Sequence, residues 1–568
     1  MYRKNESHRQ KPLFSSLNDL PAKEQERLAS SWAGTFYEEC FSRIEEDAFA
    51  VLYSEEVSRP NIPVNVLVSL EIMKSGFGWS DAEMESALHF DLQVRYALGY
   101  RHLDEGHFEL RTVYNFRRRL TEYMQQTGEN LLERAFEKIT DEQLSALEIR
   151  TDKLRMDSFQ IASNMREMSR LQLLVEVIQR MARCLSEPDQ ARYEALLSPY
   201  LKGSSGQYVY HLKIGEGQSH LQAIGEVMRQ MVNELAAPYA QEAAYGVLKR
   251  VYEEHFVEVE RDIRPKMGRE LSASSLQSPD DWEATYRHKG GQGYQGYVTN
   301  LTETCHPDND LQLILKVQTE ANTADDAQML VDALPNLKAR TEVDELYTDG
   351  GYNSEAVDEV LMDDIELIQT AIRGRSPHEE TLSLTDFEWT VDGQGIPQQV
   401  TCPGAHTTPV QPARHKHRYT ARFDNSLCQD CPLLEQCPTQ PLKRHPQRVL
   451  RFTKRQVTTA RRRQRRQTQT QNLRSAVEAT VRSVKHPFGN SKLPVRGQIR
   501  VSMMMVAAAA MTNVRRIWRY ETEKPAANAG AIVAQEPQTL PLITVLSSRL
   551  GLLFRRLTQQ TTFHPLAA

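Results

Sequence analysis

Asp157, Asp349 and Glu478 are the residues whose types and settings suit chemistry, and the glutamate stands in the most unusual company. From Pro441 to Tyr520 the chain carries 20 Lys and Arg residues and a single acid, Glu478. A helix salt bridge to Arg474 or Arg482 would contribute only ~0.2–0.5 kcal/mol, which gives so basic a stretch little reason to keep an acid. If the row Arg474, Arg482 and Lys485 tracks phosphates, a carboxylate among them repels the same polyanion unless a cation stands between. A divalent metal resolves that conflict, because Mg2+ binds through one or two protein carboxylates and completes its shell with waters and phosphate oxygens. Asp157 lies in the strand-like run "KLRMDSFQIAS", and Asp349 ends the run "VDELYTDGGY" just before Gly350 and Gly351. In open α/β sheets the carboxyl ends of strands are where sites assemble, and a metal pair there activates an attacking oxygen and stabilises a leaving one.

A second candidate metal site is built on sulfur. Cys402 opens "CPGAH", and Cys428, Cys431 and Cys437 fall in "CQDCPLLEQC". Four thiolates that include a Cys-x-x-Cys pair suit a tetrahedral structural Zn2+, with His406, His415 and His417 as possible substitutes. The alternative is four reduced thiols in a flexible insert.

The elements that must position these groups follow from hydrophobic spacing. Residues 60–125 read as a compact helical unit, with Ser80 and Glu83 forming a capping box before its second helix. In its last helix Val113, Leu120 and Met124 face inward, while Arg111, Asn115 and Arg118 line another face, an arrangement suited to a DNA groove or to an ordinary solvated face. After the strand carrying Asp157, apolar residues at heptad spacing from Leu171 and again from Leu221 predict a helical hairpin over an insertion at 165–265. The runs "GYQGYVTNLTET", "LQLILKVQTEAN", "ADDAQMLVDALPNLK", "VDELYTDGGY" and "IELIQTAIRG" then predict two strands, a helix and two more strands. His288 and Lys289, near the first of these, are placed to approach DNA or to serve a structural role. A polar, cysteine-bearing insertion at 375–455 follows. A helix is expected to carry Leu473, Ala476, Val477, Val481 and Val484 on a buried stripe and Arg474, Glu478, Arg482 and Lys485 on the next face.

Bulk properties narrow the class. The 568 residues suffice for roughly three or four domains, and the net charge of −6 conceals a basic block inside an otherwise acidic chain, which favours a polyanion at one surface. The longest apolar run, "VSMMMVAAAAM", is shorter than the ~20 residues of a membrane span and predicts a buried helix. The first residues lack an apolar signal-peptide core, and seven cysteines in so long a chain make no disulfide framework, so a reducing cytosol is expected.

Taken together, these segments resemble the DDE transposases of bacterial insertion sequences over most of residues 45–520. "RPNIPVNVLVSLEIMKSGFGWSDAEMESAL" through "RTVYNFRRRL" is similar to the family's helical DNA-binding region, "RMDSFQIASN" to its first-Asp strand, "TYRHKGGQGYQGY" to its second strand and "YTDGGYNSEAV" to its second-Asp turn. "RSAVEATVRSVK" matches the family's Tyr-x2-Arg-x3-Glu-x6-Lys signature at Arg474, Glu478 and Lys485, with Gln471 at the tyrosine position. The resemblance implies an α/β fold: a ribonuclease H-like mixed sheet flanked by helices, occupying 151–520, after an N-terminal all-helical DNA-binding domain at 1–150 and before a linker and C-terminal tail at 521–568. It implies that Asp157, Asp349 and Glu478 hold two Mg2+ (or Mn2+) ions, that activated water cleaves at the element ends, and that the freed 3′-hydroxyls join target DNA. It further implies terminal inverted repeats and target duplex as partners, two copies of the chain in the synaptic complex, and a bacterial, nucleoid-associated location. A transposase-derived DNA-binding regulator and a nuclease of the same core without strand transfer are the alternatives.

Overall fold

Strand β1, Lys153–Ile161, alternates along its length, with Leu154 and Met156 buried on one side and Arg155, Asp157 and Phe159 on the other. In the computed structural model, which describes residues 1–533 except 11–14, 55, 57–58, 214, 261, 362–363, 373–380, 416 and 469–471, this strand is the middle of a mixed sheet. After a short hairpin of β2 (Phe256–Val259) and β3 (Asp262–Pro265) come β4 (Thr285–Lys289), β5 (Gln292–Thr304), β6 (Ile314–Ala321), β7 (Glu345–Thr348) and β8 (Glu366–Gln369). The order across the sheet is β6, β5, β1, β7, β8, with β4 folded back on the start of β5. β5 runs antiparallel to β1 and β6, whereas β7 and β8 run parallel to β1. That order, with parallel crossovers through helices, is compatible with a ribonuclease H-like core; the strands predicted from the sequence are found as β1, β5, β6, β7 and β8, while β2, β3 and a separate β4 are not predicted.

Each face of the sheet has its own core. Leu154, Met156, Leu346 and Leu367 pack with the helix Asp326–Arg340 through Leu330 and Leu334. On the opposite face Phe159, Ile161 and Leu301 join a larger core shared with the N-terminal helices and with the long helix Gln498–Val533. The latter buries Val501–Met511, as the apolar run predicts, and its alanines allow close approach. The N-terminal elements among the described residues are all helical, from Ala22–Ala29 through Val64–Phe77 and Leu110–Thr127 to Leu131–Ala146. The predicted capping box is formed: the Ser80 hydroxyl accepts from the Glu83 N–H at 3.2 Å, and Glu83 accepts from the Ser80 N–H at 2.7 Å.

Three expectations need correction. The 165–265 insertion is not a two-helix hairpin: Arg170–Cys184 and Gly217–Glu234 carry the expected seams, but Glu187–Leu201, Ser205–Tyr210 and Ala243–His255 pack with them into one bundle. Among their buried residues, Tyr193, Leu197 and Tyr200 on Glu187–Leu201 and Tyr245, Leu248 and Tyr252 on Ala243–His255 are mostly tyrosines, and their spacing spans a single short helix each. The flexible insert, held as the alternative for the cysteine-bearing 375–455 insertion, gives way to a six-stranded antiparallel sheet of β9 (Glu388–Val391), β10 (Pro397–Thr401), β11 (Thr407–Pro412), β12 (Arg418–Asp424), β13 (Gln440–Pro441) and β14 (Gln447–Thr453), in the order β13, β14, β12, β11, β10, β9. Finally, no linker begins at 521, because the last described helix continues to Val533. The amphipathic tail "LSSRLGLLFRRLTQQ" lies outside the described residues.

Candidate functional site

The two aspartates come together through strand register. β1 pairs with β7 over Lys153–Arg155 and Glu345–Tyr347. Two residues further along each strand stand Asp157 and Asp349, on one face of the sheet. Burial pushes the Asp157 carboxyl above its ordinary range; the Arg474 guanidinium opposes that shift and the negative charge of Asp349 adds to it. The turn holding Asp349 is fixed from both sides. Its carboxylate accepts from the Gly351 N–H at 2.7 Å, and fully buried Tyr352 donates to Asn300 Oδ1 on β5 at 2.7 Å. On the reverse face the Ser158 hydroxyl donates to Asp326, which also pairs with Arg287 at 3.3 Å.

The glutamate arrives on the helix Val477–Lys485, which lies along β1. Arg155 of β1 donates to the Leu473 carbonyl just before the helix at 2.9 Å, and Lys485 at its end reaches the Gln160 carbonyl at 3.2 Å and sits over the Phe159 ring. Beyond the helix, Ala162 exchanges hydrogen bonds with Ser491 and Leu493 at the end of β1. Val477 and Val484 are buried, but Ala476 is exposed, and Arg474 precedes the helix rather than sharing a helical face with Glu478 as expected. Instead Arg474 Nη2 lies 3.0 Å from Asp157 Oδ2. Glu478 and Arg482 are exposed. Burial lowers the pKa of Lys485, which is anchored in the fold rather than free at the surface. Asp157 and Asp349 are thus adjacent, and Glu478 is exposed on the helix over the same sheet face. Among the described residues no three His, Cys, Asp or Glu side chains are arranged to hold a metal ion. The pair alone offers the one or two carboxylates that Mg2+ takes from protein, with Arg474 occupying an oxygen that a cation would compete for. Gln471 lies outside the described residues.

Sequence reasoning missed the group that docks this helix. Glu303, on β5 directly opposite Arg155, is wholly inaccessible. It accepts from Arg155 Nε at 2.6 Å, from Arg516 at 2.8 Å and from the Thr480 hydroxyl at 2.8 Å. Arg516 also donates to Thr480. Two arginines and one hydroxyl thus meet on one carboxylate between sheet, glutamate helix and long helix. The β5–β6 register shifts at Thr302 and Glu303, the kind of bulge that re-aims a side chain. The available signal was an acid one register position from a core-facing strand residue.

Arg111, Asn115 and Arg118 are exposed on the helix Leu110–Thr127, while Val113, Phe116 and Leu120 are buried. Met124 is only partly buried, and Arg118 pairs with Glu122 at 2.9 Å. Arg117 faces elsewhere, bridging Glu71 and Asp81. His288 and Lys289 are exposed at the tip of the β4–β5 hairpin, and His415 and His417 are exposed as well. Among the described residues no helix is long and apolar enough to cross a membrane.

Residues 26–119 match the family model described as Transposase domain (DUF772), and residues 397–518 match that described as Transposase DDE domain. The first span covers the exposed face of Arg111, Asn115 and Arg118. The second covers Glu478, Arg474 and the four clustered cysteines but neither aspartate. The chain matches no curated protein and no solved structure.

Proposed function

We propose that this chain, whose residues 26–119 and 397–518 match transposase family models, is an insertion-sequence DDE transposase that binds the ends of a mobile DNA element, cuts the phosphodiester there and joins the freed 3′-hydroxyls to target duplex. The observation that carries this reading is the register that brings Asp157 and Asp349 side by side beneath the helix of Glu478. Mg2+ held by these carboxylates would supply the Lewis acidity for hydrolysis and for the in-line attack of a 3′-hydroxyl. The chain's own groups do the rest. Asp157, buried and beside Asp349, carries a charge that burial disfavours, so a cation is welcome there. Arg474, the counter-charge of Asp157 without a cation, turns to a phosphate once that carboxylate is otherwise occupied. Arg482, exposed one turn beyond Glu478, meets the same backbone. Lys485 keeps the helix end on β1. Arg111, Asn115 and Arg118 are the base-reading candidates, and two copies acting on paired ends complete the proposal.

The test is cleavage and strand transfer on a duplex carrying the element end. Asp157→Asn, Asp349→Asn and Glu478→Gln are each expected to lower cleavage by far more than tenfold, a barrier change above ~1.4 kcal/mol, with end binding equal or tighter because negative charge near phosphate is removed. A variant that still cuts at near wild-type rate sinks the assignment of that residue. Cleavage without joined product selects the nuclease reading, and tight binding without cleavage by the wild-type chain in Mg2+ or Mn2+ selects the regulator.

A further inference from the structure

Four of the seven cysteines fall within Cys402–Cys437, and all four are half-buried in the β9–β14 module. They come from two turns. In the β10–β11 hairpin the Cys402 N–H donates to the His406 carbonyl at 2.9 Å and the Ala405 N–H to the Cys402 carbonyl at 2.8 Å, with Ala405 left-handed at φ 63°. After β12 the chain turns three times in succession: the Cys431 N–H reaches the Cys428 carbonyl at 3.2 Å, Leu434 reaches Cys431 at 3.1 Å and Cys437 reaches Leu434 at 3.2 Å.

The two turns meet at Gly404. A methyl carbon placed there would lie 3.6 Å from the Cys402 sulfur and 3.7 Å from the Cys431 sulfur, so sulfurs separated by 29 sequence positions flank one residue that has no side chain. Cys428 and Cys437, with Cys402, pack against the edge of the module's core.

The module has reason to need a staple. Its core is seven buried side chains, the largest being Phe387, Phe423 and Phe452, and a sheet of that size is marginal without a cross-link or metal. None of the four thiols is bonded to another. The sulfurs of Cys402 and Cys431 approach one residue, Gly404, while among the described residues no three His, Cys, Asp or Glu side chains are already arranged to hold a metal ion. Soft thiolates in a set of four select a tetrahedral metal.

We propose that Cys402, Cys428, Cys431 and Cys437 bind one Zn2+ as four thiolates, locking the β10–β11 hairpin to the turns after β12. Binding releases the thiol protons to solvent. The site is structural and independent of the transposase chemistry, so neither reading stands or falls with the other.

Metal analysis of the full chain, purified reduced and without chelator, is expected to give about one zinc per chain. Asp157→Asn with Asp349→Asn should retain it, as should His406→Ala, while Cys428→Ser with Cys431→Ser should lose it. Because that double variant loses metal equally by misfolding, the wild-type chain supplies a second readout. Co2+ exchanged for the zinc should give sulfur-to-metal charge-transfer absorption of the intensity set by four thiolates. Zinc-free or iron-bearing wild-type protein, loss of zinc in His406→Ala, or a cobalt spectrum of fewer than four sulfurs overturns the proposal.

Discussion

Glu303 shows how much a single buried charge can be asked to hold. A carboxylate removed from water is tolerated only where donors surround it, and here two guanidiniums and a hydroxyl do so. Glu303→Gln leaves buried Arg155 and half-buried Arg516 against a neutral amide. The expected cost is ~3–5 kcal/mol, the usual penalty for breaking a buried pair from one side, read as a lower urea midpoint at unchanged slope. Thr480→Val removes one hydrogen bond from the same cluster and should cost only ~1 kcal/mol. A Glu303→Gln midpoint within error of wild type would mean that the arginines find other acceptors, and would remove the carboxylate's role in docking the glutamate helix.

At the scale of elements, the helical insertion carries its own pH dependence. His255 ends the helix Ala243–His255, buried, with Nδ1 accepting from Arg170 Nε at 3.1 Å and its carbonyl accepting from Arg170 and Lys266. Burial first, then the charges of Arg170 and Lys266, hold its pKa down at about 4. Between that value and the ordinary 6.5 the unfolded chain binds a proton that the folded chain does not, so stability rises with pH through this window and is lost as pH falls through it. The full difference is about 3 kcal/mol. Unfolding of the insertion, followed at pH 7 and pH 5, should show about 2 kcal/mol of that loss in the wild-type chain and a flatter profile in His255→Gln, whose amide oxygen can still accept from Arg170. Equal slopes in the two would place the acid sensitivity elsewhere. The same scale shows what was legible in the sequence. Strands β1, β5, β6, β7 and β8 were readable because their apolar residues alternate or run together and end at glycine or polar turns. The helix of Glu478 was readable from Val477, Val481 and Val484, but its start was not, because Arg474 fits the helical spacing equally well and only its contact with Asp157 places it outside. Strands β10 and β11 escaped notice because they are short, rich in glutamine and threonine, and interrupted by Pro397, Pro409 and Pro412, whereas β12 does alternate Tyr419, Ala421 and Phe423 and was legible in principle. Glu303 was hidden for a different reason: its partners lie on three separate elements.

Across the whole molecule, the long C-terminal helix is the part that unites the rest. It packs on the N-terminal helices through one core and, through Asn513, exchanges two hydrogen bonds of 2.9 Å with the backbone of Ile314 on β6. Gly76 marks the tightest point, since a Cβ there would overlap Cβ and Cγ of Met511. Gly76→Ala should therefore destabilise by about 1–3 kcal/mol through overpacking, with DNA-end binding and cleavage falling together if the helix proposed to read bases and the proposed catalytic carboxylates lean on the same support. A variant that loses end binding while unfolding at the wild-type denaturant midpoint would show that the two regions work apart.

That support is also the last of the core to be synthesised. The helix Val64–Phe77 leaves the ribosome roughly 430 residues before Met511, the residue it packs against, and at ~5–20 residues per second the wait is roughly 20–90 s. During that interval the apolar faces of the N-terminal helices have no permanent partner, and the helix carrying Glu478 is itself unmade for most of it. The nascent chain thus completes the support of the proposed base-reading helix and of the proposed carboxylate set within the same short stretch of translation, so that on this proposal the capacity to grip a DNA end and the capacity to cut it arise together.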